Sequence, residues 1–144
     1  MTLEELGAGG FGNVDLVRFV DEGMARACKM PPRVALKRVF MGKQVTVNMK
    51  LQVQKEALFL KELPSTHFIK LYHSFFEVNE HGNWYFYLVM EHASRGDLLS
   101  NLIKKAKLNE RIIEEKEIWR ICCTVGQGLK MLHAKNIVHK DIKP

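Results

Sequence analysis

A chain of 144 residues, 47% apolar and 26% charged, carries material for one buried core and an ordinary charged surface. Its longest apolar runs fall well short of the ~20 residues a bilayer demands, and the opening MTLEELGAGG has neither the basic start nor the apolar centre of a secretion signal. The net charge of +6 comes from scattered basic residues. Lys104, Lys105 and Lys107 read as a solvated helix end, so neither nucleic acid nor membrane is expected as a partner.

The first pattern along the chain is Gly7, Gly9 and Gly12, spaced G-x-G-x-x-G and followed by Val14. Such glycines let the backbone approach a ligand closely, and N–H groups lining the turn can cradle phosphate oxygens. The same spacing opens a helix in dinucleotide folds. Here Val14 to Val20 is β-branched and apolar, which predicts a strand, so strand–loop–strand is expected. A glycine-rich hairpin with no ligand is the alternative.

Residues 21–33, with Gly23, Pro31 and Pro32, read as a loop. Val34 to Phe40 is a short apolar strand carrying one lysine, Lys37. Buried, it would need an anionic partner; at a strand edge it could snorkel to water. Apolar residues alternate from Val45 to Val53 and then fall into a helical stripe, predicting a helix from about Met49 to Leu63, stopped by Pro64. On it Glu56 lies between Val53, Ala57 and Leu60 and is expected to face inward, towards Lys37, nineteen residues earlier.

Two aromatic and β-branched runs, 69–78 and 84–91, flank the turn residues 79–83 and predict a hairpin. Asp97, after Gly96, stands either as a plain helix cap or as a ligand-binding acid. Residues 112–134 form an amphipathic helix, with adjacent Cys122 and Cys123 suited to a reduced interior; with Cys28 they show neither disulfide nor metal spacing. The chain closes on Ile137-Val-His-Lys-Asp-Ile-Lys-Pro144.

In that order, the glycine loop, V-A-x-K, the helix glutamate, the hairpin ending in Met-Glu and H-x-D-x-K-P resemble the eukaryotic protein kinases of the Ser/Thr type. The stretch from Leu88 to Leu98 and the closing segment look most like the NIMA-related branch. The resemblance runs from about Leu6 onward. It implies an α+β fold: an antiparallel-sheet N-lobe with one regulatory helix over 1–91, then a hinge and the start of a helical C-lobe over 92–144.

The resemblance further implies an ATP- and Mg2+-dependent transfer of phosphate to Ser/Thr hydroxyls of a protein substrate. Gly7, Gly9 and Gly12 would cover the ATP phosphates, with Phe11 at the loop tip. Val14 and Ala35 would sandwich adenine. Lys37 would hold the α- and β-phosphates and Glu56 would fix Lys37. Met90 would stand behind the adenine, Glu91 and Ala93 would offer it backbone hydrogen bonds, and Asp97 would reach the ribose. Asp141 would orient the substrate hydroxyl and accept its proton, and Lys143 would neutralise the transferring group.

No metal ligand is assigned within the chain, because the family's magnesium-binding side chains follow the catalytic segment. The 144 residues correspond to roughly the first half of the family's domain, so transfer by this chain alone is not expected. Lys140 stands where the family has arginine and lacks the bidentate fork that grips a phosphorylated loop. The second reading is therefore a truncated, pseudokinase-like module that binds nucleotide or a partner. The expected compartment is the cytoplasm, with nucleus or cytoskeleton as alternatives.

Overall fold

The structure, a computed structural model, describes residues 1–9, 12–64, 66–108 and 113–143. Two units divide the chain, residues 1–65 with 69–92 and residues 66–68 with 93–144. The first holds strands β1 (Thr2–Gly9), β2 (Gly12–Arg18), β3 (Arg33–Gly42), β4 (Leu71–Val78) and β5 (Trp84–Met90) in one antiparallel sheet ordered β1-β2-β3-β5-β4.

Turn chemistry sets this order. β1 and β2 form the expected glycine hairpin, Gly9 opposite Gly12, while its tip at residues 10–11 lies outside the described residues. Gly12 has φ +107°, and a Cβ there would run into the Arg38 carbonyl on β3, so only glycine lets the strands pair. Between β4 and β5, the Asn79 carboxamide oxygen accepts from the N–H groups of His81 (3.1 Å) and Asn83 (2.9 Å), and Gly82 takes φ +76°.

The expected loop at 21–33 contains a short helix, α1 (Glu22–Ala27). Asp21 Oδ1 accepts from the Gly23 N–H at 2.7 Å and starts it. Its end is closed by Met30 N–H to Ala25 O and Lys29 N–H to Arg26 O, both 3.0 Å, with Lys29 in the left-handed region at φ +53°. A lysine in a position usually taken by glycine leaves this stop without a signal in the sequence.

Helix α2 (Val47–Glu62) starts earlier than expected, because Thr46 Oγ1 caps the Met49 N–H at 3.2 Å. It lies on one sheet face, where Ala57 joins Leu71, Phe86 and Leu88 in a buried cluster flanked by Val39, Met41, Val53, Phe76 and Met90. Lys50 adds a cation–π contact, its ammonium 3.1 Å from the Trp84 ring centre. Lys50, Val53 and Ala57 thus form the face of α2 turned to the sheet. The opposite sheet face carries an aromatic ribbon, with Phe40 on Tyr85 (5.4 Å) and Phe75 stacked on Tyr87 (4.9 Å).

The second unit contains α3 (Leu98–Lys107) and α4 (Glu115–His133). Gly128 within α4 lies beside His67 and Phe68: a Cβ there would make ordinary van der Waals contact with the His67 Cβ and the Phe68 ring, both at 3.6 Å. α4 ends as α1 does, with Ile137 N–H on Leu132 O (3.0 Å), Asn136 N–H on His133 O (2.9 Å) and Asn136 at φ +59°. The expected apolar stripe is partly open: Leu132 is buried, but Ile118 and Val125 are exposed. Cys28, Cys122 and Cys123 are free and exposed, so the expected interior position of the adjacent pair is corrected. Nine residues before Leu132, Cys123 falls on the opposite side of α4.

Because Phe86 is 3% exposed at the centre of the cluster, Phe86→Ala is expected to lower the unfolding free energy by about 3–5 kcal/mol, measured as a shift in urea midpoint.

Candidate active site

Antiparallel partners directly opposite one another point to the same sheet face. The register therefore builds two adjacent rows. Leu16, Ala35, Met90 and Leu71 form one, and Val14, Lys37, Leu88 and Ser74 the other. Four expected site residues, Val14, Ala35, Lys37 and Met90, thus share the face that carries the buried cluster. Ala35 is buried, while Val14, Lys37 and Met90 are half-buried. Leu16, opposite Ala35 and buried, belongs to the same surface. The alternation Val14–Leu16 is the sequence signal that could have found it.

The glycine hairpin continues these rows. Gly7 pairs with Val14, and Gly9 with Gly12. Phe11, expected at the tip, lies outside the described residues. An apolar shelf carrying one half-buried ammonium, beside a glycine hairpin, is chemically suited to a flat heterocycle joined to anionic groups.

The expected Lys37–Glu56 ion pair is not formed. Glu56 is exposed on α2, and among the described residues no ion pair joins it to Lys37. The cause is helix phase. With Lys50, Val53 and Ala57 against the sheet, the ~100° step per residue carries Glu56 to the rim.

At the end of β5, the Glu91 N–H donates to Lys70 O at 2.8 Å, and Glu91 Oε2 accepts from the Lys70 N–H at 3.2 Å. This reciprocal pair fixes the strand exit from both sides. In the second unit the Ala93 carbonyl accepts from the Gly96 N–H at 2.9 Å. Asp97 caps α3, with Oδ1 accepting from the Ser100 N–H (2.7 Å) and Oδ2 from the Ser100 hydroxyl (2.8 Å). Those bonds hold its carboxyl below the usual carboxylate range.

The closing segment brings Asp141 and Lys143 together, Nζ to Oδ2 at 3.2 Å. The Asp141 N–H donates to His139 Nδ1 at 3.3 Å, and Lys140 between them takes φ +63°. That left-handed turn brings the His139 ring to the Asp141 backbone. A carboxylate beside an ammonium offers a proton acceptor and a cation to one reacting group. Among the described residues, no three His, Cys, Asp or Glu side chains are grouped to hold a metal ion.

The protein kinase domain model matches residues 1–144. A probable serine/threonine-protein kinase nek1 of Dictyostelium discoideum is 29% identical over 97% of the chain, which covers 25% of that protein. The Aurora kinase of Schizosaccharomyces pombe is 30% identical over 96% of the chain and 34% of its own length. The SNF1-related protein kinase catalytic subunit alpha KIN12 of Arabidopsis thaliana is 31% identical over 96% and 24% respectively. The chain thus spans about a quarter to a third of these relatives. Identities this even across differently named kinases single out no branch.

Asp97 titrates below its free value, so its cap is fully present above the ordinary carboxylate range and is lost as pH falls through the lowered value. Protection of the Ser100 amide, its exchange relative to an unstructured peptide at the same pH, is expected to fall on acidification and to be low at every pH in Asp97→Ala.

Proposed function

The chain belongs to the protein kinase family, and from that premise we propose that it contributes the nucleotide-binding surface and catalytic segment of an ATP-dependent serine/threonine kinase. The reading is supported chiefly by the two rows that set Lys37 beside Val14, Ala35 and Met90 on one sheet face.

In this reading the adenine lies on Val14, Leu16 and Ala35, with Met90 limiting its depth. The Glu91 N–H is committed to Lys70, so the Glu91 carbonyl is the group directed to the adenine edge, with the Ala93 N–H as its companion. Gly7, Gly9 and Gly12 supply backbone donors to the phosphates, and Lys37 supplies charge. Asp97, in the second unit, is the acid that the family resemblance assigns to the ribose, and Ser100 orients its carboxylate.

In the transfer step, the serine or threonine oxygen bonds to the γ-phosphorus and the bond from that phosphorus to the β,γ-bridging oxygen breaks. Asp141 takes the hydroxyl proton, and Lys143 offsets charge on the equatorial oxygens. Magnesium, where bound, would neutralise the phosphates. Among the described residues no three His, Cys, Asp or Glu side chains are grouped to hold it.

A second reading, nucleotide or partner binding without transfer, is favoured by the exposure of Glu56, since kinases of this family need the lysine–glutamate pair for turnover.

Calorimetry with ATP on the full chain tests the first reading. Lys37→Met is expected to weaken ATP by about tenfold, the weight of one charge-assisted contact, while adenosine affinity stays constant. Equal ATP affinity in both proteins would remove Lys37 from the phosphate site. In the longest form of the protein that can be expressed, Asp141→Asn is expected to lower transfer at least about a hundredfold without altering ATP binding. ATP binding with no transfer by that unsubstituted form would establish the second reading.

A further inference from the structure

The turn preceding α3, together with α3 and the first turns of α4, encloses an open hollow of about 380 Å³. Three cations line it, Arg95, Lys105 and Arg120, against one carboxylate, Glu117. None of these four belongs to the nucleotide surface or the catalytic segment.

Hydrogen bonds hold the backbone turn that carries Arg95 and the guanidinium of Arg120. Gly96 at φ +68°, with its N–H on Ala93 O, turns the backbone that carries Arg95. The Asn101 side-chain amide then fixes that turn by donating to the carbonyls of Arg95 and Asp97. Arg120 grips Glu117 as a fork, Nε to Oε2 at 2.8 Å and Nη2 to Oε1 at 2.5 Å. The Arg120 hydrogen bonds first, then the fields of Arg120, Arg95 and Lys105, hold the Glu117 carboxyl below the usual range. The field of each of the three cations thus reaches the Glu117 carboxylate.

A guanidinium fork grips phosphate with the geometry it uses for carboxylate. Glu117 thus stands where an external anion would sit. Three cations against one carboxylate leave an excess of two positive charges, and a phosphate monoester carries nearly two negative ones at neutral pH. Beside Gly96 and Asn101, the remaining wall is formed by the apolar Leu98, Leu102, Ile113 and Ile121. The hollow is far roomier than a bare phosphate needs, and its wall suits a neighbouring aliphatic side chain. A nucleic acid fits less well: among the described lining residues there is no aromatic ring on which a base could stack.

We propose that this hollow binds a phosphorylated serine or threonine of a partner peptide, with an adjacent aliphatic residue of the peptide on Leu102 and Ile121. Arg95 and Lys105 take the phosphate, and Arg120 transfers to it from Glu117. The site needs neither ATP nor catalysis, so it stands or falls separately from the transfer reaction.

The test uses the full chain and fluorescence anisotropy of a short labelled peptide bearing one phosphoserine next to leucine. Its unphosphorylated twin, inorganic phosphate and a single-stranded RNA are the comparisons. The phosphopeptide is expected to bind, the twin not, and inorganic phosphate to compete only weakly. Arg95→Ala and Lys105→Ala, both at exposed side chains, are each expected to weaken binding about tenfold. Glu117→Gln removes the resident anion and is expected to strengthen binding, an opposite sign that general destabilisation would not produce. Circular dichroism would verify that each variant keeps its helices. No phosphopeptide binding, equal binding of the twin, insensitivity to Arg95→Ala and Lys105→Ala, weaker binding by Glu117→Gln, or tighter binding of RNA would each overturn the proposal.

Discussion

Everything that gives the first unit a chemical face depends on the alignment of β3 between β2 and β5. Lys37 lies opposite Val14 on one side and Leu88 on the other; Ala35 lies opposite Leu16 and Met90. A slip of one residue would turn Lys37 to the aromatic face and put Arg38 on the cluster. Two local devices hold this alignment. Gly12 lets the hairpin close against the Arg38 backbone, and Asn79 with Gly82 sets where β5 begins. The Asn79–Gly82 turn does not touch the proposed nucleotide, yet together with Gly12 it decides which residues can.

The elements legible in the sequence are those with strong local chemistry. The glycine hairpin, the Asn79–Asn83 turn, the aromatic strands and the Asp97 cap all follow from short-range rules, and all are present. Asp97 also shows why a cap and a ligand-binding acid cannot be told apart by sequence. The Ser100 bonds show the carboxylate doing the first job, and a residue doing that job has the same sequence signature as one that meets a ligand.

Helix α2 marks the boundary of legibility. Its apolar residues run nearly all round: Met49, Leu51, Leu58 and Leu60 are exposed, while Val53 and Ala57 face the sheet. With so little contrast between faces, the pattern gives the existence of the helix but not its rotation, and it wrongly turns Glu56 inward. The rotation is set by Ala57 and Val53 in the buried cluster together with Lys50 over Trp84, contacts between residues distant in sequence that no periodicity encodes. α1 escapes the pattern for a related reason: a lysine in the left-handed region does the work usually signalled by glycine. The cationic hollow, likewise, assembles side chains from three separate segments and has no linear signature.

The Lys50–Trp84 contact has one more consequence. An ammonium held over an indole ring alters how that ring emits light, and Trp84 is one of only two tryptophans in the chain; the other, Trp119, is largely in water. The protein thus carries its own optical gauge of where α2 rests on the sheet. Any event that swings the helix, bringing Glu56 towards Lys37 or carrying it further away, would register in the colour of Trp84 without a label being attached.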